Sequence, residues 1–427
     1  MIRAALGAVL LFAATGSGAA EPKGLHQALK RLAAEGRFSG AVVIHGADGE
    51  QFARGYGFAD PFTGRAFTPA TPVDSGSLAK PVTAAVILSL AQDKRIDLDA
   101  PVERYLPQFA WNGVAVRHLL AHSAGLLGDG SEQALARKTN AQLVAESIQR
   151  PRAFAAGTSF SYCNVCYIAL ALLIDRVTGT PYLEAARDRA ALPRGVELRP
   201  PRLADWRGRA VGYRIEGGRP QRADSYEHEL FFGSGNLSIS ASQLARWGTQ
   251  WSTGKLEPII GAVAQPARIE GHRSGLSWGN WYCAPDRRRC HYLGHHEGFH
   301  HMLYWDRERR VSIAMVSNNS LAPALQQRLQ RALVEFAEGQ AAEAQRELAE
   351  PLVDLPIASG EYRAGADEVA VTAGSLPVIR RENLTYIAFP IGSGIHYAPG
   401  LDIYLVGTGD GRIRLLDLYG DRVATRD

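Results

Sequence analysis

The run Ser77-Leu78-Ala79-Lys80 combines a potential nucleophile with a potential base. At a helix start, residues three apart fall on one face, one turn from each other. A serine hydroxyl is a poor nucleophile at neutral pH and needs a base within hydrogen-bond reach. A lysine one turn along serves as that base, or orients it, if burial and neighbours keep the amine partly neutral. The backbone N–H of a serine at the positive end of the helix dipole also suits a developing oxyanion. The spacing is met a second time by Ser252-Thr253-Gly254-Lys255. That copy contains a glycine and runs into Pro258, so it reads as a turn. The first copy opens a helix whose Val82, Ala85, Val86, Leu88, Leu90 and Ala91 form a broad apolar face. Pro81 is tolerated there because its missing N–H falls in the first turn.

Two further elements follow in order. Tyr162-Cys163-Asn164 stands just before an apolar helix predicted over Tyr167 to Val177. A tyrosine there can shuttle a proton between nucleophile and leaving group, and an asparagine can hold a substrate amide. His296-Glu297-Gly298 lies in a stretch that reads as a strand beside another, Val311 to Val316. Each element has a bland reading, as a capped core helix, a buried phenol and a strand histidine. The ordered set of three is far more specific than any one of them.

With these motifs the chain resembles the class C β-lactamase, D,D-peptidase and esterase family of serine hydrolases. Gly76 to Ala84 is similar to that family's nucleophile segment, Pro81 included. Arg117 to Leu126 is similar to its "LLxHxSGL" segment, and Phe160 to Asn164 to its "YSN" segment, with Cys163 where serine is usual. Gly233-Ser234-Gly235-Asn236-Leu237-Ser238 is similar to a further conserved stretch. The resemblance spans roughly residues 24 to 345. It implies an α+β fold, β-lactamase/transpeptidase-like, with an antiparallel sheet flanked by terminal helices and an all-helical subdomain. It implies an acyl-enzyme on Ser77, proton work shared by Lys80 and Tyr162, and amide binding by Asn164. The oxyanion would sit between the N–H groups of Ser77 and Phe299, after the third element His296 and Gly298. β-Lactamases of this family carry Lys-Thr-Gly there, the lysine helping to anchor a substrate carboxylate. Histidine is a weaker anchor at neutral pH. The expected substrate is therefore a small ester, an amide or a D-amino-acid peptide, cell-wall peptides included. The alternatives are a β-lactamase proper, or a catalytically weak protein that binds penicillin or cell-wall peptides.

The remaining features set the context. With 427 residues, 46% of them hydrophobic, the chain can bury a large core and more than one domain. Lys plus Arg number 47 against 43 Asp plus Glu, which gives no case for nucleic-acid binding. Arg3, the apolar run Ala4 to Ala14 and Gly18-Ala19-Ala20 form a secretory signal over residues 1–20, so a periplasmic or secreted protein is expected, with no membrane span after cleavage. In an oxidising compartment Cys283 and Cys290 can bridge a hairpin, and Cys163 with Cys166 can stiffen the tyrosine loop. The organisation expected is a hydrolase domain over 21–350 and, after a linker from Pro351 to Gly360, a small β-domain completing 351–427.

Two competing sites carry less weight. Gly275-Leu276-Ser277-Trp278-Gly279 matches a nucleophile elbow, but that motif needs a helix after it and the sequence that follows is strand-like. His291, His295, His296, His300 and His301 invite a metal, yet no ligand spacing completes a site. Neither a metal nor a cofactor is expected.

Overall fold

The computed structural model describes residues 23–126, 138–200, 202–223, 232–259, 266–269, 272–277, 281–284, 288–296, 298–321, 323–340, 357–365, 367–372, 376–381, 384–390, 396–398, 403–408, 410–417 and 420–426. The expected signal segment lies outside them, as does most of the expected linker.

An eight-stranded antiparallel sheet forms the centre, ordered Pro266–Ile269, His272–Ser277, Tyr282–Cys283, Arg289–His296, Phe299–Asp306, Val311–Ser317, Gly40–Gly46 and Gly49–Tyr56. The first strand in sequence thus inserts beside the last of the main run, pairing Val42 with Met315 and Ile44 with Ile313. Alternation of side chains divides this sheet into two faces. Val42, Ile44, Met302, Tyr304, Ile313 and Met315 pack against the terminal helices Lys23–Ala34 and Pro323–Ala337, through Leu25, Leu29, Leu325, Leu329 and Leu333. Burying each such leucine stabilises the fold by about 1.5–3 kcal/mol. The opposite face, with Ala41, Val43, Leu303, Trp305, Ala314 and Val316, packs against the helical region.

The core of that region is the nucleophile helix, Ala79–Gln92. The sequence predicts one apolar face. The helix instead buries every residue from Ala79 to Leu88, because neighbouring helices and turns pack around it. The second motif opens the helix Asn164–Thr178, which ends on Gly179 at φ +74, a left-handed cap that suits glycine. A small three-stranded sheet, Val73–Asp74 with Leu237–Ile239 and Glu197–Leu198, ties the segment ahead of Ser77 to two distant parts of the chain. The C-terminal region is β-rich, with nine strands from Gly360–Ala364 to Gly420–Arg426 around Tyr362, Val369, Ile379, Leu405, Ile413 and Leu415.

Candidate active site

Ser77 lies in the short 3-10 turn Gly76–Leu78, just ahead of the helix that carries Lys80. Gly76 holds φ +48 there, and a Cβ on it would come within 2.6 Å of the His295 carbonyl oxygen. Only glycine fits between the nucleophile turn and the end of strand Arg289–His296. The turn is held from behind as well. Gly76 N–H donates to Asp74 Oδ1 at 3.0 Å, and Ser75 N–H donates to the Leu237 carbonyl at 2.8 Å.

The three residues of the first two motifs meet at the Ser77 hydroxyl. Lys80 Nζ donates to Ser77 Oγ at 3.1 Å and the Tyr162 hydroxyl donates to it at 2.8 Å. Lys80 is fully buried, and its second partner is the Ser234 carbonyl at 2.9 Å. Its Nζ also lies 4.8 Å from the centre of the Tyr162 ring and 5.9 Å from that of Tyr167. The lysine amine is therefore held from several sides, while the Tyr162 side of the pair is 42% exposed. An activated serine needs such a nucleophile with two proton-carrying groups in contact.

Cys163 and Cys166 are joined in a disulfide across the start of helix Asn164–Thr178. Cys166 N–H also donates to Cys163 Sγ at 3.0 Å, so the sulfur takes the place of an N-cap oxygen. Asn164, half buried, is the first residue of that helix, two residues on from Tyr162. Cys283 and Cys290 face each other in register on adjacent strands and are bridged as well.

The third motif differs from its sequence reading. His296 ends strand Arg289–His296, Phe299 begins strand Phe299–Asp306, and the two are directly opposed in register. His-x-Gly therefore spans a hairpin end and is not a run along one strand, and Phe299–Asp306 separates it from Val311–Ser317. Phe299 thus opens the strand that directly follows the third motif. Gly298, at φ +74, packs so closely that a Cβ would meet Tyr213 N at 2.6 Å and Gly212 C at 2.7 Å. Its glycine answers to that close approach.

His296 leads into a buried charged cluster that the sequence gives no hint of. Its Nε2 is 3.8 Å from Asp74 Oδ2, and Arg199 Nε is 3.2 Å from the same oxygen. Arg199 Nε also donates to Asn236 Oδ1 at 3.0 Å. Burial pushes the Asp74 carboxyl up, but His296, Arg199 and the Gly76 N–H together outweigh it and leave its pKa below the usual range. His301 donates from Nε2 to the Asp74 carbonyl at 2.7 Å, and its burial lowers its pKa to about 4.

The competing sites fall elsewhere. Ser252 ends helix Ala241–Ser252, remote in character from a helix start. Ser277 ends strand His272–Ser277, and strand Tyr282–Cys283 pairs back on it through Leu276 and Tyr282, which leaves no place for the helix of a nucleophile elbow. Among the described residues no cluster of His, Cys, Asp and Glu is arranged to hold a metal.

The Beta-lactamase family profile matches residues 25–337. The chain belongs to the Beta-lactamase family. Among curated relatives it is 28% identical over 203 residues to Protein flp of Staphylococcus aureus, a match covering 44% of this chain and 40% of that protein. It is 31% identical over 184 residues to Esterase EstB of Burkholderia gladioli, covering 38% and 47%. The matches thus span less than half the length of these relatives. In fold it resembles the D-amino acid amidase of Ochrobactrum anthropi SV3, with a TM-score of 0.61 at 19% identity over 77% of this chain and 99% of that one.

Proposed function

We propose that this member of the Beta-lactamase family is an exported serine hydrolase that cleaves a small ester or a D-amino-acid amide or peptide through an acyl-enzyme on Ser77. The observation that carries the reading is the convergence of Lys80 Nζ and the Tyr162 hydroxyl on Ser77 Oγ. Ser77 Oγ attacks the substrate carbonyl as its proton passes to the Lys80 and Tyr162 pair. The N–H groups of Ser77 and Phe299 hold the developing oxyanion, and Asn164 holds the substrate's amide. Tyr162, the more exposed of the pair, returns a proton to the leaving group, and water then releases the acid.

Two further observations shape the substrate and setting. At the third motif a histidine stands where β-lactamases of this family carry a lysine, and its Nε2 lies 3.8 Å from an Asp74 oxygen already paired with Arg199. This favours an ester or amide without a carboxylate at that point over efficient β-lactam hydrolysis. The two disulfides favour an oxidising compartment, as the signal over residues 1–20 does, and among the described residues no helix is long and apolar enough to cross a membrane. The hydrolase is assigned to 21–350, and the β-rich 351–427 forms a separate unit.

Intact-mass analysis after a fluorophosphonate probe, followed by a panel of short-chain esters, D-amino-acid amides, a D-Ala-D-Ala peptide and a chromogenic β-lactam, tests this reading. A single adduct on Ser77, with ester or D-amide turnover lost in Ser77→Ala, is expected. An adduct elsewhere, or turnover that survives Ser77→Ala, overturns it. Acylation by β-lactam without turnover of any substrate would indicate the binding protein instead.

A further inference from the structure

We propose that His122 is the positioning residue of the proton shuttle, a grip that holds Tyr162 by the backbone on either side and by the face of its ring. The inference rests on the role proposed above for Tyr162.

Three contacts from one residue converge on this tyrosine. The His122 carbonyl accepts the N–H of Ser161 at 2.9 Å, and His122 Nδ1 accepts the N–H of Cys163 at 2.9 Å. The residues before and after Tyr162 are therefore both bonded to His122. Between them the two rings stack, with centroids 4.6 Å apart and planes inclined by 23°. Tyr162 is 42% exposed towards the open side, so the stacked imidazole supplies much of what fixes its ring. The imidazole itself is fully buried and is held by Tyr167, tilted at 5.0 Å, and by the edge of Phe160 at 5.7 Å.

The backbone geometry fits this purpose. His122 has φ +54, a left-handed conformation that a residue other than glycine adopts only under constraint. That conformation directs the carbonyl and the ring of one residue to opposite flanks of the same neighbour. The Nδ1 contact also requires a neutral ring, since Nδ1 must present a lone pair to Cys163 N–H. Burial, and then the positive charge of Lys80, keep the pKa of His122 well below its ordinary value. The neutral imidazole thus adds no charge of its own beside the Tyr162 hydroxyl. The sequence places His122 in the segment similar to "LLxHxSGL" and gives it no task there.

Three substitutions separate the contacts. His122→Asn keeps an acceptor near the place of Nδ1 and tolerates positive φ, but loses the ring. His122→Phe keeps a ring and loses the acceptor. His122→Ala loses both. Turnover is measured per Ser77 site, titrated with fluorophosphonate, so that misfolded protein does not count. The expected result is a fall in kcat of about tenfold or more for Phe and Ala and a smaller loss for Asn, with KM within about twofold throughout. A purely structural role would lower Tm and the titrated fraction and leave kcat per site unchanged. If the Phe variant does not accumulate, the Ala and Asn pair asks the same question. Each substitution is repeated in Tyr162→Phe. If His122 acts through the phenol, that background shows no further loss, and losses that multiply overturn the proposal. Native kcat per site in His122→Ala also overturns it. A Tyr162→Phe enzyme with native activity fails differently, because it removes the role of Tyr162 itself.

Discussion

Arg199 Nε stands 3.2 Å from Asp74 Oδ2, with both side chains almost wholly buried, three residues ahead of the nucleophile. The same carboxylate receives the Gly76 N–H through its other oxygen, so the ion pair braces the turn that presents Ser77. Removing one partner of a buried pair leaves an uncompensated charge and costs about 3–5 kcal/mol. Arg199→Met is expected to lose stability on that scale in urea unfolding. Asp74→Asn keeps an acceptor for Gly76 and still strands the guanidinium. Combined with Arg199→Met it should cost clearly less than the two single losses added together, because neither charge is then left alone. Strict additivity of the two would show that the pair is not coupled.

Stability should fall steadily on acidification below about pH 6.5. Burial lowers His301 to about 4, and burial followed by its neighbour His295 lowers His300 to about 3, against an ordinary value of 6.5. Between those values the unfolded chain takes up protons that the folded chain refuses, so acid favours unfolding. Asp74 acts in the same direction further down. Its folded pKa is depressed, so its contribution is complete above pH 3.8 and is lost as pH falls through the folded value. Urea midpoints at pH 7.5, 6, 5 and 4.5 should decrease in that order. His301→Gln, which keeps a donor for the Asp74 carbonyl in the place of Nε2, should flatten the slope between pH 6.5 and 4. An unchanged slope in that variant would show that His301 is not one of the groups responsible.

Reduction of Cys163–Cys166 should affect activity more than stability. The bridge closes a separation of only three residues, so it constrains the unfolded chain very little. It does fix the backbone between Tyr162 and Asn164, one on either side of Cys163. Cys163→Ser with Cys166→Ala keeps a capping oxygen for the helix start, and is expected to shift Tm by a few degrees while kcat falls severalfold. Equal kcat in the oxidised, reduced and substituted proteins would count against a positioning role for the disulfide.

What the sequence made legible is what lies close together along the chain or repeats with a period. Ser77 and Lys80 are one turn apart, the cysteine pairs are local, and the terminal helices and the strands around Val311 to Val316 show their periods. The contacts that complete the site join remote positions. Arg199 reaches Asp74 from 125 positions away, and Ser234 accepts from Lys80 across 154 residues. Neither arginine nor serine carries a sign of burial in its neighbours. His122 depends on a positive φ that nothing in Leu119-Leu120-Ala121-His122-Ser123 announces. At the third motif, alternation suggested one strand, whereas the register closes a hairpin between His296 and Phe299. Gly298 was the local clue, since glycine at such a place marks a turn.

Lys80 offers the sharpest separation of chemistry from stability. Its amine is fully buried, with hydrogen bonds to Ser77 Oγ and to the Ser234 carbonyl, and it lies over two aromatic rings. A lysine taken out of water in this way costs the fold solvation that two hydrogen bonds only partly return. Methionine has similar length and volume and asks for no such partners. Lys80→Met is therefore expected to keep native stability or gain slightly. Its kcat/KM should fall by about 10²–10⁴, the range for losing one positioned acid–base group. Thermal unfolding and steady-state kinetics on the same preparation make the comparison. A destabilised variant that keeps its turnover would assign Lys80 to the scaffold, and Tyr162 alone would then serve Ser77.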